Sequence, residues 1–282
     1  MVKKRDYLNI LVVVLIAILA INILTSSFAG KELSKKLDAK IEASKPVEIS
    51  IIKITVDCPD CFNVDSIVSN LKSLNVNVTE EKVININEFE AKELASRYKI
   101  DKLPVVMIRG DINKIQLKGY ENFNDTLVFR DIKAPYYDLK DEQVKGLVKV
   151  TIIKPKDCDK CTDLEIIKTQ LENVGVKIND YKILQENEEE TNNIIGKYGI
   201  DKLPTMLVSK DLAVYDIAKA WLNVGTIADD GNYLLTRMQP PYYDLKEKKI
   251  KGLVNLNIIY DEGCLECQDK ILQENALKSI GI

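Results

Sequence analysis

The chain repeats itself. Residues 98–108, YKIDKLPVVMI, return at 198–208 as YGIDKLPTMLV, and residues 135–153, PYYDLKDEQVKGLVKVTII, return at 241–259 as PYYDLKEKKIKGLVNLNII. Self-similarity at a period near a hundred residues constrains the fold more than any single motif, because each period is long enough for a packed domain of its own. Cys58 maps onto Cys158 and Pro104 onto Pro204, while Cys158 maps onto Cys264 with six extra residues between Pro204 and Pro241, where a loop is expected. The layout predicted is an N-terminal membrane anchor or signal segment at 1–30 and a helical stalk at 31–46. One domain follows at 47–140, a second at 141–246, and the start of a third, truncated unit at 247–282.

Each full unit has the same order. A β-rich run, VEISIIKITV or GLVKVTII, leads to a Cys-x-x-Cys pair and then to an amphipathic helix. In the first unit Val64, Ile67, Val68, Leu71 and Leu74 recur at three- and four-residue steps, the period of one helix face. A second strand, a second helix, a Leu-Pro and a third strand complete the unit. Strand–helix–strand–helix–strand with short links predicts parallel pairing and a right-handed crossover. The doubled tyrosines Tyr136-Tyr137 and Tyr242-Tyr243 read as packing between units. ADDGNY at 228–233 reads as a hairpin turn, and the acidic run at 186–190 as a solvated helix start.

All six cysteines fall in three pairs: Cys58 and Cys61, Cys158 and Cys161, Cys264 and Cys267. The chain has no histidine, which removes Cys-His and Ser-His nucleophile pairs and Cys₂His₂ zinc fingers. A net charge of −3, from 40 basic and 43 acidic residues, gives no electrostatic case for nucleic acid. No cofactor is implied. One Cys-x-x-Cys supplies two ligands where a structural zinc wants four, so no metal site is assigned.

A Cys-x-x-Cys between the first strand and first helix, with a proline opening the third strand, twice in register, resembles the thioredoxin superfamily. The resemblance covers both full units and the start of the third. It implies tandem α/β thioredoxin-like domains, each a central mixed sheet flanked by helices. It implies that Pro104 and Pro204 are cis, lie beside their own cysteines and align a substrate. Protein thiols and disulfides are the partners it implies. The first cysteine would sit at a helix N-terminus, where backbone N–H groups and the macrodipole favour a thiolate. Cys58 and Cys158 would then be nucleophiles and Cys61 and Cys161 resolving thiols, with Cys264 and Cys267 a third redox pair. The chain departs from the pattern. No tryptophan precedes a pair, and Asp57, Asp60, Asp157 and Asp159 place negative charge near the sulfurs, which Lys160 offsets in the second unit. Two other readings stay open: a non-catalytic scaffold with structural disulfides, and metal binding through the pairs.

Lys3, Lys4 and Arg5 precede an apolar stretch at residues 8–24, broken only by Asn9 and Asn22. About 17 residues just suffice to cross a hydrocarbon core. Ser27 and Ala29 would be the small residues of a cleaved signal peptide, but the stretch exceeds the roughly 7–15 residues of a signal core. The expectation is a single-pass anchor in the cell membrane with the domains on the extracytoplasmic side.

Overall fold

Burial alternates along VEISIIKIT, with Ile49, Ile51 and Ile54 almost wholly enclosed, and this half-buried pleat is strand β1, Val47–Thr55. The computed structural model describes residues 45–255 continuously, with 14, 15, 19, 35–37 and 40 before them and 257, 259 and 270–279 after. The anchor expected at 8–24 lies outside the described residues except for Val14, Leu15 and Leu19, and Cys264 and Cys267 lie outside them altogether. Among the described residues no helix is long and apolar enough to cross a membrane.

After β1 come α1 (Asp65–Lys72), β2 (Val76–Asn85), α2 (Phe89–Arg97), β3 (Lys102–Leu103), β4 (Val105–Gly110), β5 (Tyr120–Asn122) and β6 (Thr126–Phe129). A hairpin, β7 (Tyr136–Asp138) and β8 (Gln143–Lys145), closes the first repeat. The second repeats the order as β9 (Val148–Lys154), α3 (Glu165–Asn173), β10 (Ile178–Gln185), α4 (Glu189–Tyr198), β11 (Lys202–Leu203) and β12 (Thr205–Val208). Then follow α5 (Ala218–Trp221), β13 (Gly225–Ile227), β14 (Tyr233–Leu235) and the hairpin β15 (Tyr242–Asp244) and β16 (Lys249–Lys251). The described part of the third repeat holds a helix, α6 (Lys270–Ser279), but no strand at residues 252–255, where Val254 stands exposed.

Two five-stranded sheets flanked by helices result among the described residues, ordered β2-β1-β4-β6-β5 and β10-β9-β12-β14-β13. The mixed α/β class is as the sequence predicts and is consistent with tandem domains. β1 and β2 are parallel across α1, as are β9 and β10 across α3. The third strand, however, runs antiparallel to the first in both repeats, against the parallel pairing expected of it. Thr55 pairs with Asn85 and Ile54 with Val105, so β2 leaves and β4 enters at the same end of the sheet. The second helix returns the chain to the end it left, and the next strand can only run back. A 3₁₀ turn follows the third sheet strand in both repeats, Ile112–Lys114 and Lys210–Val214. The extra residues of the second repeat are not plain loop, for this stretch also holds α5, whose Trp221 is buried with its indole N–H toward the Leu234 carbonyl at 3.3 Å.

By contacts the chain parts into two units. One is Met1–Thr55, Asn63–Leu94 and Val105–Asp131; the other is Val56–Phe62, Ala95–Pro104 and Ile132–Ile282. The first unit carries the β2-β1-β4-β6-β5 sheet, with Ile51, Ile54, Met107, Ile108 and Val128 sealed from solvent. The second carries the β10-β9-β12-β14-β13 sheet around a core of Val148, Val150, Ile152, Leu164, Met206 and Trp221. It also contains the Cys58–Cys61 turn and β3.

The doubled tyrosines are sheet residues. Each lies in a hairpin that adds to the two-residue strand before Pro104 or Pro204, giving three-stranded sheets β3-β7-β8 and β11-β15-β16. The Asp138 carboxylate accepts the N–H groups of Lys140 and Asp141, and Asp244 those of Lys246 and Glu247. These hairpins span the boundaries expected at 140/141 and 246/247. Gly146 and Gly252 follow them at φ +87° and +85°. A Cβ on Gly146 would stand 2.7 Å from the Ala134 Cβ, and one on Gly252 2.2 Å from the Pro240 Cβ. Gly146→Ala should therefore destabilise the chain by about 2–4 kcal/mol, left-handed strain and overpacking together, as read by denaturant unfolding.

The backbone N–H of Glu247, first, and then the Lys251 ammonium at 2.9 Å hold the Asp244 carboxyl at about 2. A folded value below the unfolded one stabilises at pH above the unfolded value near 3.9 and is lost as pH falls toward the folded value. Acid titration between about pH 4 and 2 should loosen the second hairpin. Asp244→Asn, which keeps an accepting oxygen, should flatten that dependence, as followed by amide shifts of 242–251.

Candidate functional site

Each cysteine pair sits on a turn reached from the end of a first strand. Cys58 comes three residues after Thr55, and Cys158 four after Lys154. Both strand ends are fixed: the Thr55 carbonyl accepts from Ile86 N–H, and that of Lys154 from Glu186 N–H, each at 2.9 Å. Within the turns, Cys61 N–H donates to the Cys58 carbonyl and Cys161 N–H to that of Cys158, both at 3.2 Å. Both pairs are closed as disulfides, with sulfurs 2.03 and 2.09 Å apart and a Cα separation of 5.4 Å in each. All four residues are half-buried, with the intervening Pro59, Asp60, Asp159 and Lys160 exposed.

The helices that follow start later than the sequence suggested. α1 begins at Asp65 and α3 at Glu165, four residues beyond the second cysteine of each pair. Their first N–H groups are already taken, by the Asn63 side chain at 2.9 Å and the Asp163 side chain at 3.0 Å. Asp65 and Glu165 add a carboxylate to each first turn, held by Lys53 at 3.0 Å and Lys154 at 2.6 Å. One first-turn N–H of each helix is thus bonded locally, and the influence of a helix end fades within its first turn. The helix start expected at Cys58 and Cys158 falls seven residues later in each repeat, at Asp65 and Glu165. The Asx pattern of Asn63 and Asp163, residues that compete with the helix for backbone groups, is the signal that could have shown it.

The Leu103–Pro104 and Leu203–Pro204 peptide bonds are cis, and so are Ala134–Pro135 and Pro240–Pro241. The second couple escaped the sequence reading although PYYDLK was visible in both repeats. Its place is informative. The Pro135 carbonyl accepts the N–H of Phe62, the residue after Cys61, at 2.7 Å. Two residues on, Tyr137 pairs with Leu103, the neighbour of Pro104. Backbone bonds therefore connect the first cysteine turn, the hairpin and the proline strand. In the second repeat Thr162 Oγ1 donates to the Gln239 carbonyl at 3.2 Å, and Tyr243 pairs with Leu203 beside Pro204. Burial, and then the negative charges of Glu186 and Asp157, push the Tyr243 hydroxyl above its ordinary value. Among the described residues no cluster of three or more acidic or cysteine side chains could hold a metal ion.

The class defined by these features is a tandem mixed α/β chain with one closed, half-exposed dithiol per full repeat. No known family profile matches it, and no curated protein does. Solved structures give slight likenesses. Crystal form I of ERdj5 covers 68% of this chain and 29% of its own, at 10% identity and a TM-score of 0.17. Form II covers 60% and 24%, at 12% identity and a TM-score of 0.17. The chain spans less than a third of the length of either, and a likeness so slight says nothing of what it does.

Asn63→Ala and Asp163→Ala should each cost about 1 kcal/mol of stability by removing the acceptor for a first-turn N–H. Neither should change the alkylation rate of reduced Cys58 or Cys158, since each helix begins seven residues beyond its first cysteine. Thermal melts and mass-resolved alkylation check both halves.

Proposed function

We propose that the chain is a thiol–disulfide oxidoreductase of thioredoxin-like fold, anchored in the membrane by residues 8–24 with its domains on the extracytoplasmic side. The observation that carries the reading is the recurrence of a closed Cys-x-x-Cys disulfide, half-exposed, at the same place in both repeats. Disulfides persist in oxidising compartments, which agrees with that placement.

In the direction of reduction, the Cys58 thiolate attacks one sulfur of a substrate disulfide. That S–S bond breaks, a mixed disulfide forms and the leaving substrate thiolate takes a proton. The Cys61 thiolate then attacks the Cys58 sulfur, the mixed disulfide breaks, and the second substrate thiolate leaves and is protonated. Two electrons and two protons pass from the pair to the substrate, and the reverse sequence oxidises a dithiol. Cys158 and Cys161 repeat the scheme, with Pro104 and Pro204 offering backbone groups to align an extended substrate.

A second reading has a specific observation behind it. Helices that begin seven residues beyond Cys58 and Cys158, with a first N–H already bonded by Asn63 or Asp163, suit disulfides that only staple strand to helix in a scaffold.

Cys58→Ser with Cys158→Ser should lower insulin reduction at least 100-fold, and each alone should leave about half. Cys61→Ser and Cys161→Ser should accumulate mixed disulfides with substrate proteins on non-reducing gels. Parent-like behaviour of all four variants would leave only the staple reading.

A further inference from the structure

The two sulfur turns differ in charge. The second reads Cys158-Asp159-Lys160-Cys161 and carries one acid and one base of its own. The first reads Cys58-Pro59-Asp60-Cys61 and carries only the acid. Its base comes from elsewhere: the Lys177 ammonium lies 3.1 Å from Asp60 Oδ1. Lys177 belongs to the second repeat, just before β10. Its backbone is fixed there independently of its side chain. Its carbonyl accepts Val148 N–H at 2.9 Å, and its own N–H donates to the Tyr215 hydroxyl oxygen at 3.1 Å. That hydroxyl in turn donates to the Gly146 carbonyl at 2.7 Å. The contact grouping agrees, since residues 56–62 cluster with the second repeat rather than with the first sheet. Between the cysteines, one carboxylate is thus matched by one ammonium in each turn, by different routes, while Asp57 and Asp157 flank the two pairs alike.

We propose that Lys177 is a positioning residue for the Cys58–Cys61 pair, acting through Asp60: the second repeat completes the first redox site. An uncompensated Asp60 carboxylate between the two cysteines opposes formation of a thiolate on either. Lys177 cancels that charge and holds the turn, and so keeps Cys58 reactive near neutral pH. With the helix beginning seven residues beyond Cys58, side-chain charge at the turn matters, and here that charge comes from another repeat. Both partners are about half exposed, so the effect is moderate and falls with salt. This inference rests on the exchange reading for its purpose, but its test does not require turnover.

The test uses the full chain with Cys158, Cys161, Cys264 and Cys267 replaced by serine. After reduction, the rate of iodoacetamide alkylation at Cys58 is followed from pH 5 to 10 by mass spectrometry. Lys177→Gln should slow alkylation at pH 7 about threefold and move the rate midpoint to higher pH, and Lys177→Glu should do more. Adding Asp60→Asn to Lys177→Gln should restore the parent profile, which a purely structural role of Lys177 would not predict. In the chain that instead retains only Cys158 and Cys161, Lys177→Gln should leave the profile unchanged and Lys160→Gln should slow it. An unchanged Cys58 profile in the lysine variants, or no rescue by Asp60→Asn, overturns the inference. A chain that shows these profiles yet exchanges no disulfide with insulin overturns the exchange reading alone. Melting curves of each variant establish that the compared chains are folded.

Discussion

Two short backbone pairings, Leu103 with Tyr137 and Leu203 with Tyr243, decide where the working parts of each repeat can go. A two-residue strand cannot stand by itself. Once the hairpin is laid along it, the proline that follows is fixed at the entry of the third strand of the sheet. In the first repeat the same hairpin begins at Pro135, whose carbonyl receives the N–H next to Cys61. Sulfur turn and proline strand are tied to one element, and neither can move far without breaking backbone bonds. Gly146 and Gly252 show how tightly the hairpins are seated, since even a methyl group there would meet the residue before Pro135 or Pro241.

The electrostatics follow from where the helices begin. Each helix begins four residues beyond the second cysteine of its pair, and its first N–H is bonded by a side-chain oxygen two residues back. Charged side chains around the turns bear on any thiolate character of the pairs. Those are Asp57 and Asp60 with Lys177 in one case and Asp157 and Asp159 with Lys160 in the other, exposed or half-exposed, where single charges act weakly and salt screens them.

Much of this was legible in the sequence. The hundred-residue repeat and the spacing of Cys58 and Cys158 from Pro104 and Pro204 gave the order of elements. The alternation in VEISIIKIT and the helical steps of Val64, Val68 and Leu71 gave the first strand and helix their buried faces. Three things were not legible. Strand direction after the second helix depends on the end at which the chain re-enters the sheet, and a pattern of elements does not state that. The hairpin role of PYYDLK depends on pairing with a strand some 35 residues earlier in sequence, a long-range match that alternation cannot reveal. The Asp60–Lys177 contact joins residues of two repeats, more than a hundred positions apart, and only the fold brings them together. The helix starts were misplaced for a local reason, because Asn63 and Asp163 bond the backbone two residues on and delay the helix.

The central claim is that the two pairs are exchanging dithiols. Its most direct measurement is the equilibrium of each pair in the full chain across a glutathione redox series, resolved by alkylation and mass spectrometry. The account predicts that Cys58–Cys61 and Cys158–Cys161 each pass from disulfide to dithiol within the range of exchanging pairs, about −270 to −180 mV. Potentials below about −300 mV for both would contradict it and make the disulfides staples.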